Sequence, residues 1–455
     1  MIYSSATPEQ VAADLKILMD FQDEGLSLED LGKLIDERLI PHLTKYDRPE
    51  FHSFYNCFPE EGAEFGGTIA LHYNQGVTNW QVSPGGVMLE ELCCQAMCRL
   101  FGLSPQADAT FMYCGTYANQ QAMYMALHRK AEQCGFDLGR EGLQGFGDPS
   151  RLVAVCSQDA HFSLKHAMRF LGLGDRSLIS TTVESNRRMD ADRLQNVVQD
   201  LQKEGKDVFC IVSTAGTTST GSIDPIDAVN DLCQEIGAWS HVDGAYGLAF
   251  SLVPEMRERF NGIERADSVC WDPHKAFGAP IPSSLLFVNR KEEFERMAIY
   301  GEYFNRKDDP EPNPGLKSPP TTRPLSALPL ITSIRHRGMK NVIEDLRKPL
   351  RAIATLAECL ADTFDIALCH SPDTAILCMQ VIPEGFPQDR LNDLQKFIYE
   401  SIKKEGKRQI SMTSLDGTIV LRFVAISPRV TVDAMIDTVS RARRLAQEFQ
   451  GTSSV

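Results

Sequence analysis

Nowhere does the chain stay apolar for the roughly 20 residues that a membrane helix needs. Its opening stretch, MIYSSATPEQVAADLKILMD, lacks the basic flank and apolar run of a secretory signal. A cytoplasmic location is the expectation. Long basic runs are also missing: 46 Lys and Arg stand against 61 Asp and Glu, for a formal net charge of −15. Such an acidic chain is not expected to bind nucleic acid or an anionic membrane surface. The 13 cysteines show no regular spacing, which argues against a disulfide framework and fits reduced thiols. CCQAMC (Cys93, Cys94, Cys98) lacks the C-x-x-C pairs of a structural zinc site and reads as helical core packing. HFSLKH has no glutamate after its first histidine, so it is not H-E-x-x-H, and no metal site is expected. Internal repeats and low-complexity tracts are absent as well.

What the chain does have is length and apolar content: 455 residues, 43% hydrophobic and 24% charged, enough for a substantial core divided into two or three domains. Residues 1–70 read as an N-terminal helical and loop segment. Within it, SLEDLGKLIDERLIPHL has a Ser-x-x-Asp start and apolar residues at helical spacing. YDRPEFHSFYNCFPEEGAEFGG, rich in aromatics and turn residues, reads as loop. From 71 to 345, helix-like runs (GVMLEELCCQAMCRLFGL, NQQAMYMALHRKAEQCG) alternate with short apolar ones (RLVAVCS, VFCIVSTAG, AWSHVDGA, DSVCW, SSLLFVN). That alternation predicts an α/β domain whose mainly parallel sheet is covered on both faces. The proline-rich EYFNRKDDPEPNPGLKSPPTTRP reads as a long loop or lid. Residues 346–455 mix helical and strand-like runs and predict a small C-terminal α+β domain.

Open α/β sheets place ligands at the C-terminal ends of their strands. AWSHVDGAYG ends its apolar run on Asp243, and a lone lysine, Lys275 in CWDPHKAFGAP, follows the next run 32 residues on. Each alone also suits a turn or a surface loop. Together they supply what pyridoxal phosphate chemistry needs, an amine to hold the aldehyde as a Schiff base and a carboxylate to keep the pyridine nitrogen protonated. Gly115 and Thr116 in CGTYANQQA open an amphipathic helix whose N-terminus can cup a phosphate, though a plain helix cap has the same look. His161, just after RLVAVCS, is placed to cover the ring, and Thr214 in STAGTTSTGSIDP to reach the cofactor's 3-hydroxyl region; a cap and a strand-ending loop are the plainer alternatives.

From about residue 49 to its end, the sequence resembles the group II pyridoxal phosphate-dependent amino acid decarboxylases, which include glutamate, aromatic amino acid and 2,4-diaminobutyrate decarboxylases. The resemblance is carried by NWQVSPGGVMLEE, CGTYANQQA, DAHFSLKHA, STAGTTSTGSIDPI, HVDGAYG, DSVCWDPHK, EYFN, LKSPPTTRPLSAL and LRFVAISPR. It implies fold type I, the aspartate aminotransferase-like fold, and a homodimer with active sites at the interface. By the same resemblance Lys275 forms the Schiff base, Asp243 pairs with the pyridinium and His161 stacks on the ring. Gly115, Thr116 and His274 contact the phosphate. Asp272 stands where the family has Asn or Asp, and Ala245 where a small residue packs under the ring. Arg422 matches the arginine that holds the substrate α-carboxylate, for which a guanidinium fork is suited. The implied reaction converts an L-amino acid into the corresponding amine and CO2.

The sequence departs from the family's pattern in the lid, where members commonly carry a proton-donating tyrosine. The proline-rich part has none, and Tyr303 in GEYFN is the candidate donor. TTRPLSALPLI loses three charged family residues to Pro324, Ser326 and Pro329, which puts the usual helix start and its ion pairs in doubt. Pro280 and Pro282 follow Lys275 closely and are expected to reshape the pocket. An alternative on the same fold is therefore decarboxylation coupled to oxidative deamination, or carbon–carbon cleavage. A non-catalytic relative would have little reason to retain Lys275, Asp243, His161 and Arg422 together.

Overall fold

The structure is a computed structural model that describes residues 1–302 and 305–452. Its chain contacts divide it into two units. The larger comprises Pro59–Lys348 with Pro372–Thr374, and the smaller Met1–Phe58, Pro349–Ser371 and Ala375–Val455.

The larger unit is built on a seven-stranded sheet. Its order is Asp108–Met112, Ser284–Val288, Ser268–Trp271, Trp239–Asp243, Asp207–Thr214, Leu152–Ser157, Leu178–Thr181. All pairings are parallel except the two made by Ser284–Val288, which runs antiparallel to both neighbours. The expected mainly parallel α/β sheet is thus present.

Side chains alternate between faces along each strand, and both faces are covered. Ala154, Cys156, Cys210 and Val212 join one apolar cluster with Ala122 and Ala126 of the helix Gly115–Gln133. Val153, Val155 and Ile211 join the opposite cluster with Leu194, Val198 and Val229 of the helices Ala191–Lys203 and Ile226–Ile236. Burial on both faces explains why these strands read as unbroken apolar runs.

Two expectations are corrected here. The stretch read as loop contains the strand Phe51–His52 and the start of the helix Glu61–Tyr73, whose N-cap Glu60 accepts from the Ala63 N–H at 3.1 Å. Its glycines serve close packing rather than turning. A Cβ at Gly62 would lie 2.6 Å from His336 Cβ, and one at Gly66 would overlap Thr332 Oγ1. The helix start that the replacements in TTRPLSALPLI put in doubt is also present: helical structure spans Ala327–Leu360, broken at Gly338, where φ is 69°. Pro329 falls in its first turn, where a missing N–H is harmless.

The smaller unit has a five-stranded sheet in the order Phe51–His52, Gln409–Leu415, Thr418–Val424, Ile376–Val381, Ile366–Leu368. The first pair is parallel and the rest antiparallel. The helix Leu28–Arg38 starts as its sequence predicts, with Ser27 Oγ accepting from the Asp30 N–H at 3.1 Å. Among the described residues, no helix is long and apolar enough to cross a membrane.

Candidate active site

In the larger unit, most of the candidate residues sit at or just beyond the C-terminal ends of strands on one edge of the sheet. Thr214 and Asp243 are the last residues of their strands, and parallel register sets Thr214 beside Asp243 and Asp243 beside Cys270. Gly115 and Thr116 open the helix that follows Asp108–Met112, and His161 follows Leu152–Ser157.

Lys275 lies in the turn after Ser268–Trp271. Its Nζ is 3.0 Å from Asp272 Oδ2, and Asp272 Oδ1 accepts from Ser284 Oγ at 2.6 Å. His274 Nε2 stands 3.7 Å from the same Asp272 carboxylate, and its Nδ1 meets the Ser283 backbone. Burial lowers the His274 pKa, against the raising pull of Asp272. Gly115 brings the helix N-terminus against this cluster. A Cβ there would lie 3.0 Å from both Ala245 Cβ and Asp272 Oδ2, so any larger residue would need these neighbours to give way by a few tenths of an ångström. No side chain caps that helix at Cys114, which leaves first-turn N–H groups for a ligand.

Asp243 is buried, yet its carboxyl stays below the usual aspartate range. Burial alone would raise it, and the lowering comes from His161, Lys275 and His241 and from a hydrogen bond with Asn119, whose Nδ2 donates to Oδ2 at 2.8 Å. His161 Nδ1 accepts from the Ser163 N–H at 3.2 Å, and burial pushes its imidazole towards the neutral form.

The set fits pyridoxal phosphate. It offers an amine, a buried ionised carboxylate, a histidine ring, and an uncapped helix N-terminus that a Cβ at its first residue would crowd. Thr214 Oγ1 adds a buried hydroxyl left without a hydrogen-bond partner among the described residues.

Arg422 belongs to the smaller unit, on the strand Thr418–Val424. It is buried, donating from Nη1 to Ser411 Oγ at 2.8 Å and from Nη2 to the Tyr55 hydroxyl at 2.7 Å. Tyr303 lies outside the described residues.

Sequence reasoning missed Asn119, Cys270, Ser284 and Tyr55, and left His241 without a role. Asn119 carried a readable signal: it stands four residues after Gly115, on the same helix face, as a polar residue on a side otherwise buried.

His241 is buried and held neutral, its pKa pushed by burial from 6.5 down to about 4. The unfolded chain takes up that proton near pH 6.5, whereas the folded chain resists it. The stability His241 contributes is therefore fully present above about pH 6.5 and is lost as pH falls towards about 4. Urea unfolding of His241→Gln across that window is expected to show a shallower loss than the unsubstituted chain, by on the order of 2–3 kcal/mol. Parallel pH profiles would contradict the assignment.

The fold matches the apo form of mouse CSAD, with a TM-score of 0.89 and 24% identity over 98% of this chain and 93% of that one. Fold and residues define a pyridoxal phosphate enzyme of fold type I. Residues 8–382 match the pyridoxal-dependent decarboxylase conserved domain, and the chain belongs to that family. Among its relatives, the L-2,4-diaminobutyrate decarboxylase of Acinetobacter baumannii is 27% identical over 96% of this chain and 88% of its own length. The acidic amino acid decarboxylase GADL1 of Xenopus tropicalis is 27% identical over 96% and 87%. The activity is pyridoxal phosphate-dependent decarboxylation of an amino acid.

Proposed function

We propose that Lys275, Asp243, His161, Gly115, Thr116, Thr214, Ala245, Asp272, His274 and Arg422 carry this decarboxylation, converting an L-amino acid into its amine and CO2. The observation that carries the reading is the pairing of an amine, Lys275, with a buried and ionised carboxylate, Asp243, beside an uncapped helix N-terminus. When bound, pyridoxal phosphate supplies an electron-poor ring that accepts the electron pair left by departing CO2.

The residues supply the rest. Lys275 holds the cofactor covalently and returns to that role after each turnover. Asp243 keeps the proton on the ring nitrogen, since a carboxylate held below its usual range favours a cationic partner. His161, neutral and oriented by the Ser163 N–H, covers the ring. The N–H groups of Gly115 and Thr116, with His274, hold the phosphate. Ala245 leaves room under the ring, and the Thr214 hydroxyl gains a partner at the cofactor's 3-hydroxyl. Arg422 fixes the α-carboxylate so that the scissile bond is oriented for cleavage. Tyr303 is the proposed donor of the proton that replaces CO2 at Cα.

The working form we infer is a cytoplasmic homodimer. Exposed Phe65, Leu71 and Tyr73 on one helix, with exposed Tyr117, Phe162 and Ile281, favour a covered apolar surface. Cys93, Cys94, Cys98, Cys210 and Cys233 are buried thiols outside any disulfide, which suits a reducing compartment. Sedimentation is expected to give twice the chain mass of 50.7 kDa; a monomer at working concentration would overturn the dimer.

The reaction is tested by loading the protein with pyridoxal phosphate and scoring an L-amino acid panel for CO2, amine, aldehyde and peroxide. Amine with equimolar CO2 supports the proposal. Aldehyde and peroxide in place of amine would establish the oxidative alternative, and no CO2 from any amino acid would refute both.

A further inference from the structure

Behind Asp243 runs a line of buried hydrogen bonds whose direction is fixed from both ends. At one end the Trp239 indole can only donate, and its Nε1 lies 2.8 Å from Ser268 Oγ. At the other, an ionised carboxylate can only accept, so the group facing Asp243 Oδ2 at 2.8 Å is the Asn119 NH2. The Asn119 oxygen is then turned to His241 Nε2, 3.0 Å away, which must carry the histidine's proton. Neutral His241 consequently has a bare Nδ1, and this accepts from the Ser268 hydroxyl at 2.8 Å. Each step agrees with the next: indole to hydroxyl, hydroxyl to imidazole, imidazole to amide, amide to carboxylate. Reversing the amide would set its oxygen against the Asp243 carboxylate oxygen with no hydrogen between them, and its NH2 against His241 Nε2.

The second Asn119 N–H reaches Ser163 Oγ at 2.9 Å, and the Ser163 backbone N–H donates to His161 Nδ1. The Cys270 thiol lies 3.1 Å from the Asn119 oxygen and 3.3 Å from Asp243 Oδ1, a further weak donor. His161, Lys275 and His241 supply the charges and polar rings that act on Asp243, and Asp272 acts on its neighbours His161 and Cys270. Nothing in the line needs a proton from Asp243. A protonated carboxyl would point hydrogen at hydrogen where the amide meets it.

We propose that Trp239, Ser268, His241 and Asn119 form a one-way donor line that holds Asp243 ionised, making His241 and Asn119 positioning residues for the proton on the cofactor's ring nitrogen. This rests on the assignment of Asp243 as the ring-nitrogen partner. It differs from a merely structural network in one respect: its effect is felt only by a ligand that has a ring nitrogen.

The test uses the full-length chain stripped of cofactor and titrated with pyridoxal phosphate and with its 1-deaza analogue, which carries C–H in place of the nitrogen. The unsubstituted chain is expected to bind pyridoxal phosphate more tightly than the analogue. His241→Phe and Asn119→Leu should lose about tenfold or more of that preference, the effect of removing one hydrogen bond to a charged group. His241→Gln, which restores an amide N–H near the Nε2 position, should keep most of it. If His241→Phe does not fold, Ser268→Ala reads the same line and should reduce the preference in the same direction. Equal weakening of both ligands in these variants makes the network structural and overturns the proposal. Failure of the underlying assignment looks different: the unsubstituted chain then shows no preference, or Asp243→Asn retains it.

Discussion

Lys275→Ala is expected to remove amine formation, lowering kcat by at least about a thousandfold, while the chain still folds. Lys275 Nζ stands 3.0 Å from the Asp272 carboxylate, with the His274 imidazole beyond it. Neither can form the covalent link to an aldehyde that an amine forms. The substitution also strips Asp272, buried and bonded to Ser284, of a neighbouring cation. Lys275→Arg separates the two roles. It keeps a positive charge beside Asp272, so thermal stability should return towards that of the unsubstituted chain, but turnover should not, because a guanidinium is too weakly nucleophilic to take the lysine's place. The deciding measurement is borohydride reduction of the loaded protein followed by peptide mass analysis. The unsubstituted chain should carry a reduced pyridoxyl group on the peptide containing Lys275, and both variants should carry none. A labelled peptide elsewhere in the chain would move the covalent role to another lysine.

The parts of this site that could be read from sequence are those in which chemistry and backbone are local. HVDG and DPHK each put a functional group within a few residues of a strand end, and strand ends are visible as the edges of apolar runs. What stayed hidden depends on which strand lies beside which. His241 meets Ser268 because parallel register pairs those two residues across adjacent strands. Asp272 gains Ser284 because Ser284–Val288 runs antiparallel between Ser268–Trp271 and Asp108–Met112, a reversal that an alternating α/β pattern does not announce. Arg422 and Tyr55 are 367 residues apart. Gly62 and Gly66 misled for another reason: a glycine chosen to let a helix pack closely is indistinguishable, in sequence, from one chosen to turn.

The segment Pro314–Arg323 is anchored by a second arrangement invisible in the composition, and it leads to the other large expected effect. The helix Pro84–Leu100 buries Val87, Cys94 and Met97 together with a charged residue, Glu90. Glu90 forms an ion pair with Arg323, and both side chains are almost wholly buried, 2% and 3% exposed. Arg323 Nη1 also donates to Thr110 Oγ1 and the Pro314 carbonyl, each at 3.0 Å, and to Ser318 Oγ at 3.1 Å. Glu90→Leu removes the anion and strands a guanidinium in the core, so the unfolding free energy measured in urea should fall by about 3–5 kcal/mol. Adding Arg323→Met to Glu90→Leu removes the stranded charge, and much of that stability should return, since an apolar pair of similar volume replaces a buried ion pair at little net loss. Turnover should not return with it. The double variant still leaves the Pro314 carbonyl and the Ser318 hydroxyl without their donor, so the stretch that follows Tyr303 and precedes the helix Ala327–Leu360 loses its hold on Thr110. Faster proteolytic cleavage within residues 305–323, with folded stability largely restored, is the expected signature. Recovery of kcat in step with stability would mean that the Arg323 anchor serves folding alone.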